Sequence, residues 1–356
     1  MTDTLCRMWQ NVRGHSSQIE LFRKAVSGGR LSQAYLLAGE SGIGKKLFAE
    51  TLAAGLLCEQ APDPIDACGS CPSCKQVKAN THPDLLRVAC PEGKSEIPIE
   101  LLAGSREKRG REGLCYEVSL KPMVASRRIA IIDDVEKLNV ASGNTLLKTL
   151  EEPPARAVFF LIVDRPEAVL PTIRSRCQLV RFHSLPESDL AELLVHNELV
   201  ASNEDAARIA GLAGGSLDAA KQLADPAVRE LNEFVAQAVS GKQLSQPMTL
   251  AGEVMKRIEA TSNDKTVQRS NAHWVLRFLG TRLQQSLRQI ANGQPAGIQL
   301  VTATQFDAAD IVASMLERVL DTEANLRQSM PMLLCFESML DDLRRVATGQ
   351  LAASGR

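Results

Sequence analysis

Residues 34–46 read Ala-Tyr-Leu-Leu-Ala-Gly-Glu-Ser-Gly-Ile-Gly-Lys-Lys. The first five form an apolar run typical of a buried strand, and the stretch after it matches a phosphate-binding loop at Gly39, Gly42, Gly44 and Lys45. In such a loop, backbone N–H groups and the dipole of the following helix hold phosphates, and the lysine reaches the terminal ones. The stretch therefore predicts a strand, a loop and a helix of an α/β fold. Nucleotide binding, by ATP or ADP, is one interpretation, and a glycine-rich turn without a ligand is the other.

The last position of the loop departs from the pattern, because Lys46 stands where Ser or Thr holds Mg²⁺. A second acidic motif, Asp133-Asp134, follows the apolar run 129–132. Asp133 fits the carboxylate that meets Mg²⁺, while Asp134 occupies the position where an ATPase usually carries Glu. A simple acidic end to the strand is the alternative. We expect Mg²⁺-dependent chemistry to be weakened more than phosphate binding.

The first half of the chain alternates β-rich runs with helical patterns, which predicts an α/β fold with a parallel sheet. Several runs are continuously apolar, as strands covered on both faces require. From residue 187 onward the apolar residues recur at helical spacing. The predicted strands are Ala34–Ala38, Leu85–Val88, Arg128–Ile132, Val158–Val163 and Val180–Phe182.

Length and composition argue against several classes of protein. The 356 residues carry a net charge of −1, which excludes a globally basic DNA-coating protein, and 4% aromatic residues disfavour a stacking platform for single-stranded nucleic acid. The longest apolar run, residues 157–163, is far shorter than the roughly 20 residues that span a membrane. The start of the chain lacks the apolar segment of a secretion signal, so a cytoplasmic location is expected.

Four cysteines form a cluster with the spacing C-x9-C-x2-C-x2-C, at Cys58, Cys68, Cys71 and Cys74. Four thiolates at such spacing can close a tetrahedral site around one zinc ion, and a closed site is structural rather than catalytic. An iron-sulfur cluster, a redox-active pair and merely tolerated cysteines are the competing interpretations.

Taken together, the motifs resemble the AAA+ clamp-loader subunits of bacterial DNA polymerase III over about the first 225 residues. The individual motifs are common, but their order and spacing are specific. They are Trp9-x-x-Val12-x-Gly14-His15, residues 30–35, the phosphate loop, the four cysteines, His82-Pro83-Asp84, Asp133-Asp134, residues 144–154 and Ser175-Arg176-Cys177.

Four departures separate the two kinds of subunit that this family contains. The resemblance implies a delta-prime type, which looks like an ATPase but does not generally act as one, rather than the ATP-hydrolysing gamma/tau type. Lys46 and Asp134 are two departures. The third is Val163 with Asp164, where the family's sensor Thr would fall at the end of its strand, and the fourth is Asp218 at the position of the lid Arg. An aspartate near a γ-phosphate is electrostatically unfavourable.

The resemblance also implies an architecture and a role. It predicts a P-loop AAA+ domain over residues 1–184 with a zinc module at about 58–74, a helical lid domain at 185–225 and an all-α collar domain at 226–356. Arg176 resembles the arginine finger that completes the ATP site of a neighbouring subunit; an arginine bridging a local carboxylate is the alternative.

The implied function is that of a largely non-hydrolysing stator without intrinsic ATPase activity, in a complex with DNA-directed DNA polymerase activity. Its implied partners are the gamma/tau and delta subunits, with the sliding clamp and primed DNA reached through the assembly. Two alternatives stay open: an ATP-hydrolysing motor subunit of the gamma/tau type, and a zinc-containing DNA-binding module, which the near-neutral charge disfavours.

Overall fold

The computed structural model describes residues 9–61, 63–91, 94–240, 242–295, 308–328 and 330–349. The chain divides into two units, Met1–Asp189 and Leu190–Arg356, called unit 1 and unit 2 below. Among the described residues, no helix combines the length and the apolar character needed to cross a membrane.

Unit 1 is built around a parallel sheet. The strands are β1 (Ala34–Ala38), β2 (Leu85–Val88), β3 (Arg128–Ile132), β4 (Ala157–Val163) and β5 (Gln178–Arg181). Their order across the sheet is β2-β3-β4-β1-β5, with every neighbouring pair parallel. Parallel neighbours need crossover connections, and these place helices on the faces of the sheet. As a result β1, β3 and β4 are buried along their whole length.

Side chains that alternate along β1 and β4 divide between two apolar cores, one on each face of the sheet. Tyr35, Leu37 and Phe160 belong to one core, and Leu36 and Phe159 to the other. Successive strand residues point to opposite faces, so a strand between two helical layers must be apolar at every position. This explains why β1 and β4 read as unbroken apolar runs.

Helices connect the strands and account for nearly all regular structure after them. Before the sheet ends, the helices are α1 (Ser16–Ser27), α2 (Lys45–Leu57), α3 (Pro72–Lys78), α4 (Ile99–Ala103), α5 (Leu114–Ser119), α6 (Val140–Glu151) and α7 (Pro171–Arg174). They are followed by α8 (Glu187–His196), α9 (Asn203–Leu212), α10 (Leu217–Ala224), α11 (Pro226–Ser240), α12 (Pro247–Thr261), α13 (Lys265–Ala291), α14 (Ala308–Arg327) and α15 (Met332–Ala347).

The sequence predictions agree with this architecture at the level of elements. All five predicted strands exist and three have the predicted bounds; β4 begins one residue earlier, and β5 covers 178–181 instead of 180–182. β5 lies at the edge of the sheet with an exposed Gln178 and Arg181, so it lacks the apolar pattern that marks a central strand. The described part of unit 2 contains only helices, as predicted. The division into three domains stays a prediction.

Candidate nucleotide site and metal centre

Three sequence-predicted segments meet at the carboxyl edge of the sheet. The phosphate loop follows β1, Asp133 follows β3 and Asp164 follows β4, and these strands are neighbours in the order β3-β4-β1. The carboxyl ends of parallel strands are the usual place for ligands in open α/β sheets. The topology therefore brings residues from distant parts of the sequence to one place.

The phosphate loop has the backbone that its glycines predict. Gly42 and Gly44 have φ angles of +77° and +97°, in a region that glycine enters far more readily than other residues. Gly44 is the N-cap of α2. At Gly39 an added Cβ would lie 2.6 Å from the backbone oxygen of Phe182, so only glycine leaves room there. The strand, loop and helix around the motif are confirmed.

Within this loop, Lys45 is already fully engaged. Its side chain is 4% exposed and its Nζ donates to the backbone oxygens of Gly39 and Glu40, both at 2.6 Å. The third partner is Oδ1 of Asp164 at 2.9 Å. A lysine ammonium has three protons, so the group that would reach the terminal phosphates of a nucleotide has no donor left for one.

Lys46 and Asp133 also form an ion pair, with 3.2 Å between Nζ and Oδ2. In the phosphate-loop pattern these two positions hold a Mg²⁺ ion between them. Here the lysine ammonium is the cation beside the carboxylate. Sequence reasoning treated Lys46 as a lost ligand and Asp133 as a retained one, while the structure shows that the two residues neutralise each other.

Asp134 forms a local ion pair beside this arrangement. Its backbone is in the left-handed region at φ +56°, which aspartate tolerates better than most residues. Its carboxylate pairs with Lys137 at 3.1 Å, and its N–H donates to Oδ1 of Asp133 at 3.0 Å. The position that would orient an attacking water in an ATPase is thus engaged in a local ion pair.

Two further side chains contact this region, the partly buried Glu136 and the buried His15, and sequence reasoning assigned neither of them a role at the site. The backbone N–H of Asp164 donates to Oε1 of Glu136 at 3.3 Å, and burial, together with the nearby charge of Asp164, raises the pKa of Glu136. On the other side, Nε2 of His15 donates to the backbone oxygen of Ile43 at 2.7 Å, and burial lowers the pKa of that imidazole. The neutral imidazole of His15 therefore holds the phosphate loop through its hydrogen bond to Ile43.

Arg176 lies on the surface just after α7 and forms a local ion pair. Its Nη2 is 2.7 Å from Oε1 of Glu151, at the end of α6, and its Nη1 donates to the backbone oxygen of Thr172 at 3.1 Å. The side chain is 37% exposed. Within this chain, Arg176 thus bridges a local carboxylate. Its action on a neighbouring subunit stays a prediction.

Asp218 lies in unit 2, in the first turn of α10. The hydroxyl of Ser216 caps that helix by accepting from the N–H of Ala219 at 3.2 Å. An acidic residue in the first turn is favourable because it faces the positive end of the helix dipole. This local role accounts for an aspartate at that position.

The four predicted cysteines converge. Their sulfurs all lie within 4.8 Å of one another, with 3.9 Å between Cys58 and Cys71 and 4.0 Å between Cys68 and Cys74. Zinc-sulfur bonds of about 2.3 Å in a tetrahedron put sulfurs about 3.8 Å apart. The donor set and the spacing therefore suit one tetrahedral metal ion.

Backbone N–H groups support the sulfurs of this cluster. The N–H groups of Cys68, Cys71 and Cys74 point at the sulfurs of Cys58, Cys68 and Cys71, at 3.3, 3.4 and 3.4 Å respectively. Burial alone would raise the pKa of the Cys68 thiol, but N–H donors including those of Ser70 and Cys71 outweigh it and lower the pKa to about 6. At Cys68 these donors favour the thiolate form that binds metals, whereas burial raises the pKa of the Cys58 and Cys74 thiols.

The cysteine module is packed into the core of unit 1. Gly55 of α2 passes so close to the module that an added Cβ would lie 1.9 Å from the backbone oxygen of Ile65. Nε1 of Trp9 donates to the same oxygen at 3.2 Å. Ser73 bridges outward, donating to the backbone oxygen of Leu57 at 2.9 Å and contacting Nε2 of His82 at 2.6 Å. The module and the helix that begins with Lys45 are therefore one packed body.

The segment His82-Pro83-Asp84, quoted above only for its resemblance, has a structural role. Asp84 is completely buried and accepts hydrogen bonds from the N–H groups of Met123, Val124 and Ala125 at 2.7, 2.8 and 2.9 Å. It also pairs with Arg128 at 3.5 Å. These contacts hold the segment before β3 against the start of β2.

Comparison with known proteins points to the same family as the sequence motifs. A family model described as DNA polymerase III, delta subunit, matches residues 14–186. The delta' subunit of Pseudomonas aeruginosa DNA polymerase III is 35% identical over 219 residues, 60% of this chain and 62% of that protein. The Escherichia coli K12 delta' subunit is 27% identical over 314 residues, 87% of each chain. These similarities support the delta-prime clamp-loader family that the sequence motifs indicate.

This family is related to gamma/tau. A tau/gamma subunit from Haemophilus influenzae is 33% identical over 235 residues, 63% of this chain. The matched part spans less than two thirds of the Pseudomonas relative, at 62%, and 32% of the Haemophilus one. Among solved structures, a gamma subunit-related protein from Thermotoga maritima is 18% identical, covering 93% of this chain and 99% of its own, with a TM-score of 0.44.

Proposed function

We propose that this chain is a largely non-hydrolysing, delta-prime-like stator of the DNA polymerase III clamp loader. In this role it joins gamma/tau and delta subunits, supplies Arg176 to the ATP site of a neighbour and helps load the sliding clamp on primed DNA. The observation that carries the proposal is that both lysines of the phosphate loop are paired with carboxylates of the same chain. Lys45 pairs with Asp164, and Lys46 pairs with Asp133.

These ion pairs oppose both binding and hydrolysis of a nucleotide. Incoming phosphates would have to replace Asp164 on Lys45 and then remain beside its carboxylate. Two like unit charges 4 Å apart repel by about 4 kcal/mol at an effective dielectric of about 20, and by less here because Asp164 is 44% exposed. A Mg²⁺ ion would in addition have to displace the ammonium of Lys46 from Asp133.

Arg176 can act in trans without a change of fold. Its guanidinium is on the surface and only its exposed partner Glu151 and local oxygens hold it. An ion pair between exposed groups contributes about 1 kcal/mol or less, so a neighbour's phosphates, with their greater charge, can compete for the arginine. An arginine finger stabilises charge on the transferring phosphoryl group by factors of about 10³ to 10⁵ in rate.

The cysteine cluster supports a structural zinc ion as part of the proposal. Cys58, Cys68, Cys71 and Cys74 would supply four thiolates and leave no open position. When bound, the ion would add no reaction chemistry and would join the cysteine module to helix α2. A cytoplasmic location, where such thiols stay reduced, remains part of the same proposal.

The test is ATP turnover by the assembly reconstituted with gamma/tau, delta, clamp and primed DNA. Replacing Arg176 with Ala should reduce ATP turnover by the assembly at least tenfold, while Lys45→Ala should leave it within about twofold of the wild type. Arg174→Ala, a charge removal two residues away, is the matched control. Glu151→Gln separates the two roles of the arginine, since it breaks the local ion pair and keeps the guanidinium.

Two outcomes would contradict the proposal. Severe loss from Lys45→Ala would show that this chain's own site turns over ATP, as in the motor alternative; the intact loop backbone at Gly42 and Gly44 is what keeps that alternative open. Equal loss from Glu151→Gln and Arg176→Ala would show that the arginine acts only within this chain.

A further inference from the structure

A concave pocket lies at the amino edge of the sheet, opposite to the phosphate loop. Its volume is about 290 Å³. Residues just before or within β1, β3 and β4 line it, among them Gln33, Ser126, Arg127 and Arg156. The remaining lining residues are apolar or glycine, and none of the lining residues is acidic. The pocket therefore combines two cations with an otherwise uncharged wall.

Strand register brings the two arginines together. Arg128 of β3 pairs with Ala157 of β4, so Arg127 and Arg156 immediately precede two neighbouring strands. Neighbouring strands lie about 4.8 Å apart, and like charges at facing positions of a sheet are destabilising. Neither side chain forms an ion pair or a hydrogen bond with any other residue in the described part of the chain.

Burial makes this arrangement more unfavourable at Arg127, while Arg156 is exposed. The Arg127 side chain is partly buried, and burial lowers the pKa of its guanidinium, with no neighbouring carboxylate to offset the effect. Two adjacent cations in partly apolar surroundings are best compensated by one ligand with two negative charges. A phosphate monoester carries a charge of about −1.5 to −2 at neutral pH, whereas a carboxylate carries one.

We propose that Arg127 and Arg156, with Ser126 and Gln33, form a binding site for a phosphate group at the amino edge of the sheet. Arginine suits this ligand because its planar guanidinium can donate two parallel hydrogen bonds to phosphate oxygens. The hydroxyl of Ser126 and the amide of Gln33 are further donors on the pocket wall.

This site is separate from the phosphate loop and does not rest on the proposed clamp-loading function. The five residues of β1 lie between Gln33 and Gly39, which at about 3.3 Å per residue places the two sites roughly 20 Å apart. The phosphate-binding pocket can therefore be tested on the purified chain alone.

The experiment is a calorimetric titration of the full chain with inorganic phosphate. Arg127→Gln and Arg156→Gln should each weaken phosphate binding about tenfold or more, because each removes charge-assisted hydrogen bonds. Arg288→Gln is the matched control, since Arg288 is an exposed arginine in unit 2 and its loss should leave the affinity unchanged. In the absence of phosphate, neither pocket variant should lower the thermal midpoint, because each removes one of two repelling charges.

Two results would overturn the proposal. One is wild-type protein that binds no phosphate up to about 10 mM. The other is unchanged phosphate affinity in Arg127→Gln and Arg156→Gln. If a variant is less stable than the wild type, Arg156→Lys keeps the charge without the planar donor pair, and it should bind phosphate with intermediate affinity.

A second arm identifies the source of the phosphate group. If the natural ligand is a nucleic acid backbone, primed DNA should compete with inorganic phosphate, and both glutamine variants should bind DNA more weakly. If it is a small phosphate monoester, phenyl phosphate should compete and primed DNA should not. Either result supports a phosphate site, and displacement by neither ligand would contradict it.

Discussion

Replacing Asp84 with Asn should destabilise unit 1 severely, although the change removes no atom of the packing. The fully buried carboxylate accepts three backbone N–H groups, from Met123, Val124 and Ala125, and pairs with Arg128. An amide keeps one acceptor oxygen but turns an NH₂ group toward these donors. It also leaves the Arg128 guanidinium, 5% exposed, without its carboxylate.

The structure gives a magnitude for this substitution. Removing one partner of a buried ion pair typically costs about 3 to 5 kcal/mol, against a total unfolding free energy of about 5 to 15 kcal/mol. We expect Asp84→Asn to lower the free energy of unfolding by about 3 kcal/mol or more at pH 7. Glu112→Gln is the matched control, because among the described residues the Glu112 side chain forms only an exposed pair with Lys108, and its loss should cost about 0.5 kcal/mol or less.

The same residue gives a pH dependence with a definite sign. Burial alone would raise the pKa of Asp84, but the three N–H donors and Arg128 outweigh it and hold the pKa below its ordinary value. A carboxyl group with a lowered folded-state pKa stabilises the protein above its unfolded-state pKa of about 3.9. That contribution is lost as the pH falls through the folded-state pKa. The difference between wild type and variant should therefore be constant above about pH 5 and shrink below pH 4.

Urea unfolding followed by tryptophan fluorescence measures this effect. A Trp274→Phe background removes the tryptophan of unit 2, so the signal comes from Trp9, which lies in the core of unit 1. A loss below about 1 kcal/mol at pH 7, or a difference that does not change between pH 6 and pH 3, would refute the reasoning.

Three further predictions concern the candidate sites. The double variant Lys46→Thr with Asp164→Thr should gain at least tenfold in affinity for a fluorescent Mg-ATP analogue, because both internal ion pairs of the loop are lost; an unchanged affinity would contradict the account. Purified protein should contain about one zinc per chain by elemental analysis and Cys74→Ser should lose it, whereas metal-free wild-type protein would exclude the zinc site. Gly55→Ala should lower the unfolding free energy by more than about 2 kcal/mol in urea, since the new Cβ would overlap the backbone of Ile65; the gain of up to about 1 kcal/mol usual for a helical Gly→Ala change is the opposite outcome.

Local features of this protein could be read from the sequence because their causes are local. Two-sided burial demands the continuous apolar runs of β1 and β4, and positive φ angles at Gly42 and Gly44 demand glycine. The x2 spacings of the cysteines bring their sulfurs together over one short helix and turn. For each of these, the information lies within a few residues.

What only the tertiary structure decided is which charges meet. Lys45 and Asp164 are 119 positions apart, and they pair because β1 and β4 are neighbours in the sheet and both end at its carboxyl edge. At the amino edge, Arg127 and Arg156 become neighbours through the register of β3 with β4. The sequence determined the helices and strands and the kinds of side chain that each site contains. An ion pair or a pocket depends in addition on strand order and register, which arise from long-range packing that no local pattern encodes.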